Sequence, residues 1–301
     1  MNSTSKTSIN GAGFVLGAAI LWGTTGTAQS FAPAGFDPLI IGTCRLVIGG
    51  TALLLLALVR CEIENILQWP WFKVLLGAIL TSAYQLSFFA AVARTGVAVG
   101  TIVGIGSSPI AAGILAYLFR NEKPDKGWAM ATIVAITGCS LLTLFGRGGN
   151  VRIEPLGIFM ALAAGTAYAS YTLIIKDLLE EYNPNAVTAV VMCIGALLLI
   201  PLFYFRPLAW LNQSAGIGVV LYLGLISMAF SYWLFVRGLK QIQVAAAVTL
   251  SLAEPMTAGI LSVLVVGERL PLPAWCGLGL ILCGLLILTI TGINPNKSSF
   301  L

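Results

Sequence analysis

Two charged side chains stand inside apolar stretches of this chain. Glu254 lies in Leu250 to Arg269, LSLAEPMTAGILSVLVVGER, and Arg45 lies within residues 38–59. A charge at the centre of a membrane-spanning helix costs roughly 2.5–3.5 kcal/mol for Asp, Lys or Arg, and a Glu costs about as much unless it is paired or wetted. Three uses offset that cost. Arg45 and Glu254 neutralise each other as a structural ion pair, Arg45 holds a substrate carboxylate, or Glu254 carries a proton. Pro255 follows the acid directly. It removes a backbone donor and crowds the preceding turn, so the helix kinks there, and Pro109 predicts a second kink.

Polar and aromatic groups gather in a few stretches. Tyr84, Gln85 and Phe88 fall within one helical turn or so, with Tyr84 and Phe88 four apart on a shared face. Ser231 and Tyr232 sit in an aromatic run, Phe230 to Phe235. Trp22, Thr25, Tyr168, Tyr171, Thr101, Ser108 and Thr249 complete the set. Such groups suit the wall of a cavity that stacks on an amphipathic solute. The plainer reading is helix packing. Gly96, Gly100 and Gly104 recur every four residues, which lets two helices approach closely.

Other chemistry is poorly provided for. There is no histidine, which removes the commonest proton relay and metal ligand. No Walker loop, no GxSxG and no acidic cluster with metal-ligand spacing occurs, so no catalytic residue, metal or cofactor is expected. The six cysteines form no CxxC pair and mostly sit in apolar runs, and Cys276 and Cys283 read as packing residues on one face.

The elements that position these residues are long apolar runs. The chain is 58% hydrophobic and 9% charged, against about 25% charged in soluble domains. About 20 apolar residues cross a bilayer core as a helix. Ten runs qualify, at 11–31, 38–59, 71–93, 97–119, 126–146, 155–176, 185–205, 214–238, 244–266 and 273–291. Basic residues in the connecting loops divide ten to five between the two sides, which predicts cytoplasmic N- and C-termini. With the net charge only +5 and the basic residues between apolar runs, no nucleic-acid partner is expected.

The chain repeats itself. Pro109 to Glu122 and Pro255 to Glu268, 146 residues apart, share seven of fourteen positions. Five runs separate each position from its counterpart. Five is odd, so the two halves enter the membrane in opposite directions. The expected fold is therefore all-α and integral to the membrane, with ten transmembrane helices as two inverted five-helix repeats around a central cavity. The first repeat spans 1–148 and the second 149–292. The seam is a flexible linker at Gly146 to Asn150, and 293–301 form a disordered tail. Ser108 stands where Glu254 stands in the other half, so the acid occurs once. Glu122 and Glu268 close their helices beside Lys or Arg, as solvated interfacial pairs or as gate and loop anchors.

These motifs resemble the EamA-type transporters of the drug/metabolite transporter superfamily. Those carrying the resemblance are Trp22-Gly23, Asp37-Pro38 with Arg45, Ala93 to Ser108, Glu254-Pro255, Gly267-Glu268-Arg269, Trp275 and Gly284. The resemblance implies a central cavity lined mostly by helices 3, 4, 8 and 9, closed by helices 1 and 6, with helices 5 and 10 peripheral. It also implies a secondary transporter of the cell (inner) membrane working by alternating access. The expected activity is export of small amphipathic metabolites, amino acids ahead of others. The alternatives are a multidrug or other-metabolite exporter, a passive facilitator and, distantly, a membrane-embedded enzyme. The expected partners are a small-molecule substrate and the lipid bilayer, with the chain a monomer or weak homodimer.

Overall fold

A computed structural model describes residues 3–146 and 154–291. The expected linker beyond Gly146 and the expected tail lie outside the described residues. Ten long helices follow one another: α1 (Ser3–Gln29), α2 (Pro38–Val59), α3 (Trp71–Gly96), α4 (Val99–Arg120), α5 (Lys126–Gly146), α6 (Pro155–Glu181), α7 (Pro184–Phe205), α8 (Ser214–Leu239), α9 (Val244–Val266) and α10 (Leu272–Thr291). Nine of them, α2 to α10, are long and apolar enough to cross a membrane. α1 has the length, 27 residues, but Thr24, Thr25, Thr27 and Gln29 dilute its apolar character.

Prolines and short polar side chains set the helix starts. Pro38, Pro155 and Pro184 occupy the first turns of α2, α6 and α7, where a missing N–H is no loss. Asp37 Oδ1 accepts from the Leu39 amide at 2.8 Å, and Asn183 Oδ1 accepts from the Asn185 amide at 2.9 Å. The helical path breaks where α3 ends, at Gly96, whose backbone is non-helical at φ 82°. That glycine supplies a break, while Gly104 faces α6 near the Ala161 carbonyl.

Contacts at the helix ends fix the topology. Glu122, just past α4, accepts a hydrogen bond from the first amide of α9, so α4 ends on the face where α9 begins. Lys73 at the start of α3 pairs with Asp177 near the end of α6 at 3.1 Å, and Arg94 near the end of α3 pairs with Glu154 before α6 at 2.7 Å. The two five-helix halves therefore run in opposite senses. We call the face holding Lys73, Arg120, Lys176 and Arg237 the basic face.

α6 packs along α3 and α4, α2 packs on α7, α1 packs on α8 and α9, and α5 pairs with α10. Large apolar side chains such as Leu58, Phe72, Phe119, Ile133, Phe159, Leu197, Leu264 and Ile290 remain exposed around the bundle. A belt of that kind matches a hydrocarbon surrounding and not water. Cys276 and Cys283 are exposed on α10, whose packing face is instead Ala274, Leu278, Ile281 and Leu285.

Candidate functional site

One cavity of about 440 Å³ occupies the middle of the bundle. That is within the usual range of small-molecule sites, about 300–1,000 Å³. It reaches the face opposite the basic face, where Gln29, Pro38, Val92, Gly146, Glu268 and Leu270 border it.

Its inner wall is aromatic. Trp22 contacts Tyr232 at 5.1 Å and Tyr168 at 6.5 Å between ring centres, Tyr84 contacts Tyr168 at 5.6 Å, and Tyr84 stacks with Phe88 at 5.9 Å. These rings come from α1, α3, α6 and α8, so both halves contribute. Polar groups are fixed between them. Gln85 donates to the Gly42 carbonyl at 3.3 Å, Thr25 shares a hydrogen bond with Ser227 at 2.8 Å, and Tyr168 shares one with Ser251 at 3.0 Å.

Arg45 and Glu254 both line this cavity. They do not form an ion pair, and among the described residues no opposite charge lies within 4.0 Å of either. Arg45 Nε is buried with no hydrogen-bond partner. The structural ion pair expected as one option is thus not made in this conformation. Both charges face the cavity.

The backbone near the acid is loosened in a particular way. α9 breaks at Ser251 and Leu252, before Pro255, and the Glu254 amide bonds back to the Ser251 carbonyl at 2.9 Å. α4 stays helical through Pro109. The Ile105 carbonyl, which a proline amide cannot reach, takes the Ser108 hydroxyl at 2.7 Å instead. Two wider turns of π type, Leu225–Phe230 in α8 and Ser262–Val266 in α9, went unforeseen. They place Met228 and Ser262 on the cavity wall, and turns of this kind are frequent at functional sites.

The structure brings Trp22, Thr25, Tyr84, Gln85, Phe88, Thr101, Ser108, Tyr168 and Tyr232 together with Arg45, Glu254 and Pro255 around the cavity. Three expected residues are elsewhere. Tyr171 is 2% exposed and sits in the core against Tyr232. Ser231 is fully buried, and its hydroxyl returns to the Ser227 and Met228 carbonyls. Thr249 is fully buried and joins α9 to α5 through Trp128 and Thr132. The offset that matched Ser231 to Gln85 holds in sequence, but Ser231 follows the wide turn of α8 and bonds within its own helix. α5, expected at the periphery, contributes Leu142, Thr143 and Gly146 to the wall.

The basic face is sealed. Lys176 donates to the carbonyls of Leu239, Lys240 and Ile242 at 2.7, 3.1 and 3.0 Å, capping the end of α8. Arg120 pairs with Glu122 at 3.0 Å and with Asp177 and Glu180. Arg237 donates to Asn185, which donates to Glu62 at 2.6 Å. This network was missed because its basic members were read for topology alone. Asp177 and Glu180, three apart beside Lys176, were the available signal.

A multi-span bundle enclosing a solute-sized cavity that is shut at one face and reaches the other is a membrane transporter. The EamA-like transporter family matches residues 9–144 and again 155–290, and the chain belongs to that family. It is 45% identical to the uncharacterized transporter YwfM of Bacillus subtilis (strain 168), over 92% of each chain. It is 26% identical to the uncharacterized inner membrane transporter YicL of Salmonella typhimurium, over 96% of this chain and 97% of that one. A solved structure described only as the crystal structure of a protein superposes with a TM-score of 0.82 at 20% identity, covering 93% of this chain and 96% of its own, which shows the fold.

Proposed function

We propose that this chain is a secondary transporter that exports small amphipathic metabolites, amino acids foremost, by alternating access across the cell (inner) membrane. The observation that carries the reading is that Arg45 and Glu254 line one cavity among aromatic rings without forming a salt bridge, with Arg45 Nε lacking a hydrogen-bond partner. A zwitterion answers both charges at once. Its carboxylate suits the Arg45 guanidinium, its ammonium suits the Glu254 carboxylate, and an apolar side chain suits Trp22, Tyr84 and Phe88. The excess of Lys and Arg on the basic face supports an orientation with that face and both termini at the cytoplasm. The structure then corresponds to the externally open state. Glu254 is also the group proposed to carry a coupling proton.

The test is counterflow in proteoliposomes. A mixture of unlabelled amino acids is loaded inside, and uptake of each labelled one is followed for the wild type, Gln85→Ala and Glu254→Gln. Saturable uptake of a few amino acids, weakened in Gln85→Ala, supports the reading. Uptake of none of them removes amino acids as substrates. Non-saturable uptake would make the protein a passive facilitator. Glu254→Gln with unchanged transport and unchanged pH dependence would end the proton role.

A further inference from the structure

Helices α4 and α9 finish in the same way, 146 residues apart. Asn121 and Gly267 each adopt a left-handed backbone, at φ 52° and 81°. The amide of the next residue reaches back to a carbonyl six positions earlier in both helices. Glu122 N donates to Ala116 O at 3.2 Å, and Glu268 N donates to Ser262 O at 2.9 Å. Equivalent backbone geometry therefore presents a glutamate at each end of the repeat.

The two carboxylates have different surroundings. Glu122 Oε1 accepts from Arg120 at 3.0 Å, and its Oε2 accepts from the Val244 amide at 3.0 Å. That amide opens α9, whose own cap residue, Gln243, supplies no side-chain acceptor. Glu122 thus caps α9 from another helix, where an anion is favoured by the exposed amides and the helix dipole. Glu268 borders the open end of the cavity, and its Oε2 is buried with no partner. A buried carboxylate oxygen without a donor is costly to maintain. Applied to Val244, the repeat offset gives Ala98, the residue immediately before α4 and two after the break at Gly96.

We propose that Glu122 and Glu268 are a matched pair of gate latches used in alternation. In the state seen here Glu122 caps α9 and holds the basic face shut. In the opposite state the Glu268 carboxylate caps the first turn of α4 at Ala98, holding the other face shut, and Glu122 releases α9. One carboxylate–amide contact is exchanged for another, so the latches themselves leave the two states near in energy. The repeat places Val266 opposite Arg120, so the basic-face latch alone carries the guanidinium and its ties to Asp177 and Glu180. That asymmetry favours the state observed. The proposal rests on the alternating-access reading above.

The experiment uses the full chain with its six cysteines replaced and Ala245→Cys as reporter. Ala245 is 2% exposed just inside the sealed face. Labelling by a water-soluble maleimide is followed in membrane fragments open on both sides. Glu122→Ala is expected to raise the labelling rate about tenfold and Glu268→Ala to lower it several-fold, the scale of an ordinary two-state coupling. Glu268→Gln, which keeps an acceptor oxygen, falls between Glu268→Ala and the parent. A rate unmoved by Glu122→Ala, or equal in Glu268→Ala and the parent, overturns the proposal. A second measurement needs no reporter. A short dithiol cross-linker is expected to join Glu268→Cys to Ala98→Cys, and failure to do so while Glu122→Cys and Val244→Cys link readily overturns it as well. Neither readout uses a solute, so absent counterflow with these responses intact would count against the amino-acid reading and not against the latches.

Discussion

Arg45 is held by packing and faces Glu254 in the same cavity without a salt bridge. Its Nε is buried without a partner. Hydrogen bonds to a charged group contribute about 1.5–3 kcal/mol, and each 1.4 kcal/mol is about tenfold in affinity. Arg45→Gln is therefore expected to raise the half-saturation concentration for a transported amino acid by about 10–100-fold. Competition by the amino-acid amide, which has lost the carboxylate, should change little. A panel of counterflow curves with the acid and its amide checks both. The two charges were legible in the sequence because an ionised group in an apolar run stands out. Whether they touch was not, because that depends on where α9 breaks. Tyr171, Ser231 and Thr249 show the same limit. Each is polar in an apolar helix, yet Ser231 and Thr249 satisfy their hydroxyls within the bundle, as a cavity residue need not.

The helices themselves were readable because twenty apolar residues bounded by proline leave few alternatives. Their close approaches were less so. Gly165 of α6 lies so near α4 that a Cβ there would stand 2.5 Å from the Gly104 carbonyl oxygen, while a Cβ on Gly279 of α10 would meet nothing within 4 Å. Gly165→Ala is expected to destabilise the protein by about 1–3 kcal/mol, and Gly279→Ala to be neutral or slightly stabilising. Thermal unfolding of the detergent-solubilised variants distinguishes them. The wide turns in α8 and α9 have no comparable mark. Neither Leu225 to Phe230 nor Ser262 to Val266 contains a proline. The turn in α8 lies against α1 and α2, contacts that a single helix's sequence does not reveal. Gly96 reads as one member of a regular glycine series, and only its backbone angle reveals it as the joint between α3 and α4.

At the scale of the whole molecule, the inverted architecture was legible from a single repeated segment, and the sealed face was not. Its seal depends on Lys176, Arg120 and Asp177 meeting from helices far apart in the chain. Thr143 lies on the cavity wall towards the open face. With the native cysteines replaced, Thr143→Cys should react with a membrane-impermeant maleimide added to intact cells, and a transported solute in excess should slow that reaction. Labelling only after the cells are opened would reverse the orientation assigned here.

α1 brings Trp22, Thr25 and Gln29 to the cavity, and the same side chains leave it the least apolar of the ten helices. A nascent segment enters the bilayer according to the summed transfer energy of its own residues, before any partner is present. α1 therefore gains less from insertion than α2, whose only charge is Arg45 and which is otherwise strongly apolar. The first span of a multi-span chain usually sets the orientation of those that follow. The polarity that makes room for a solute is also what gives α1 the weakest hold on lipid of the ten helices.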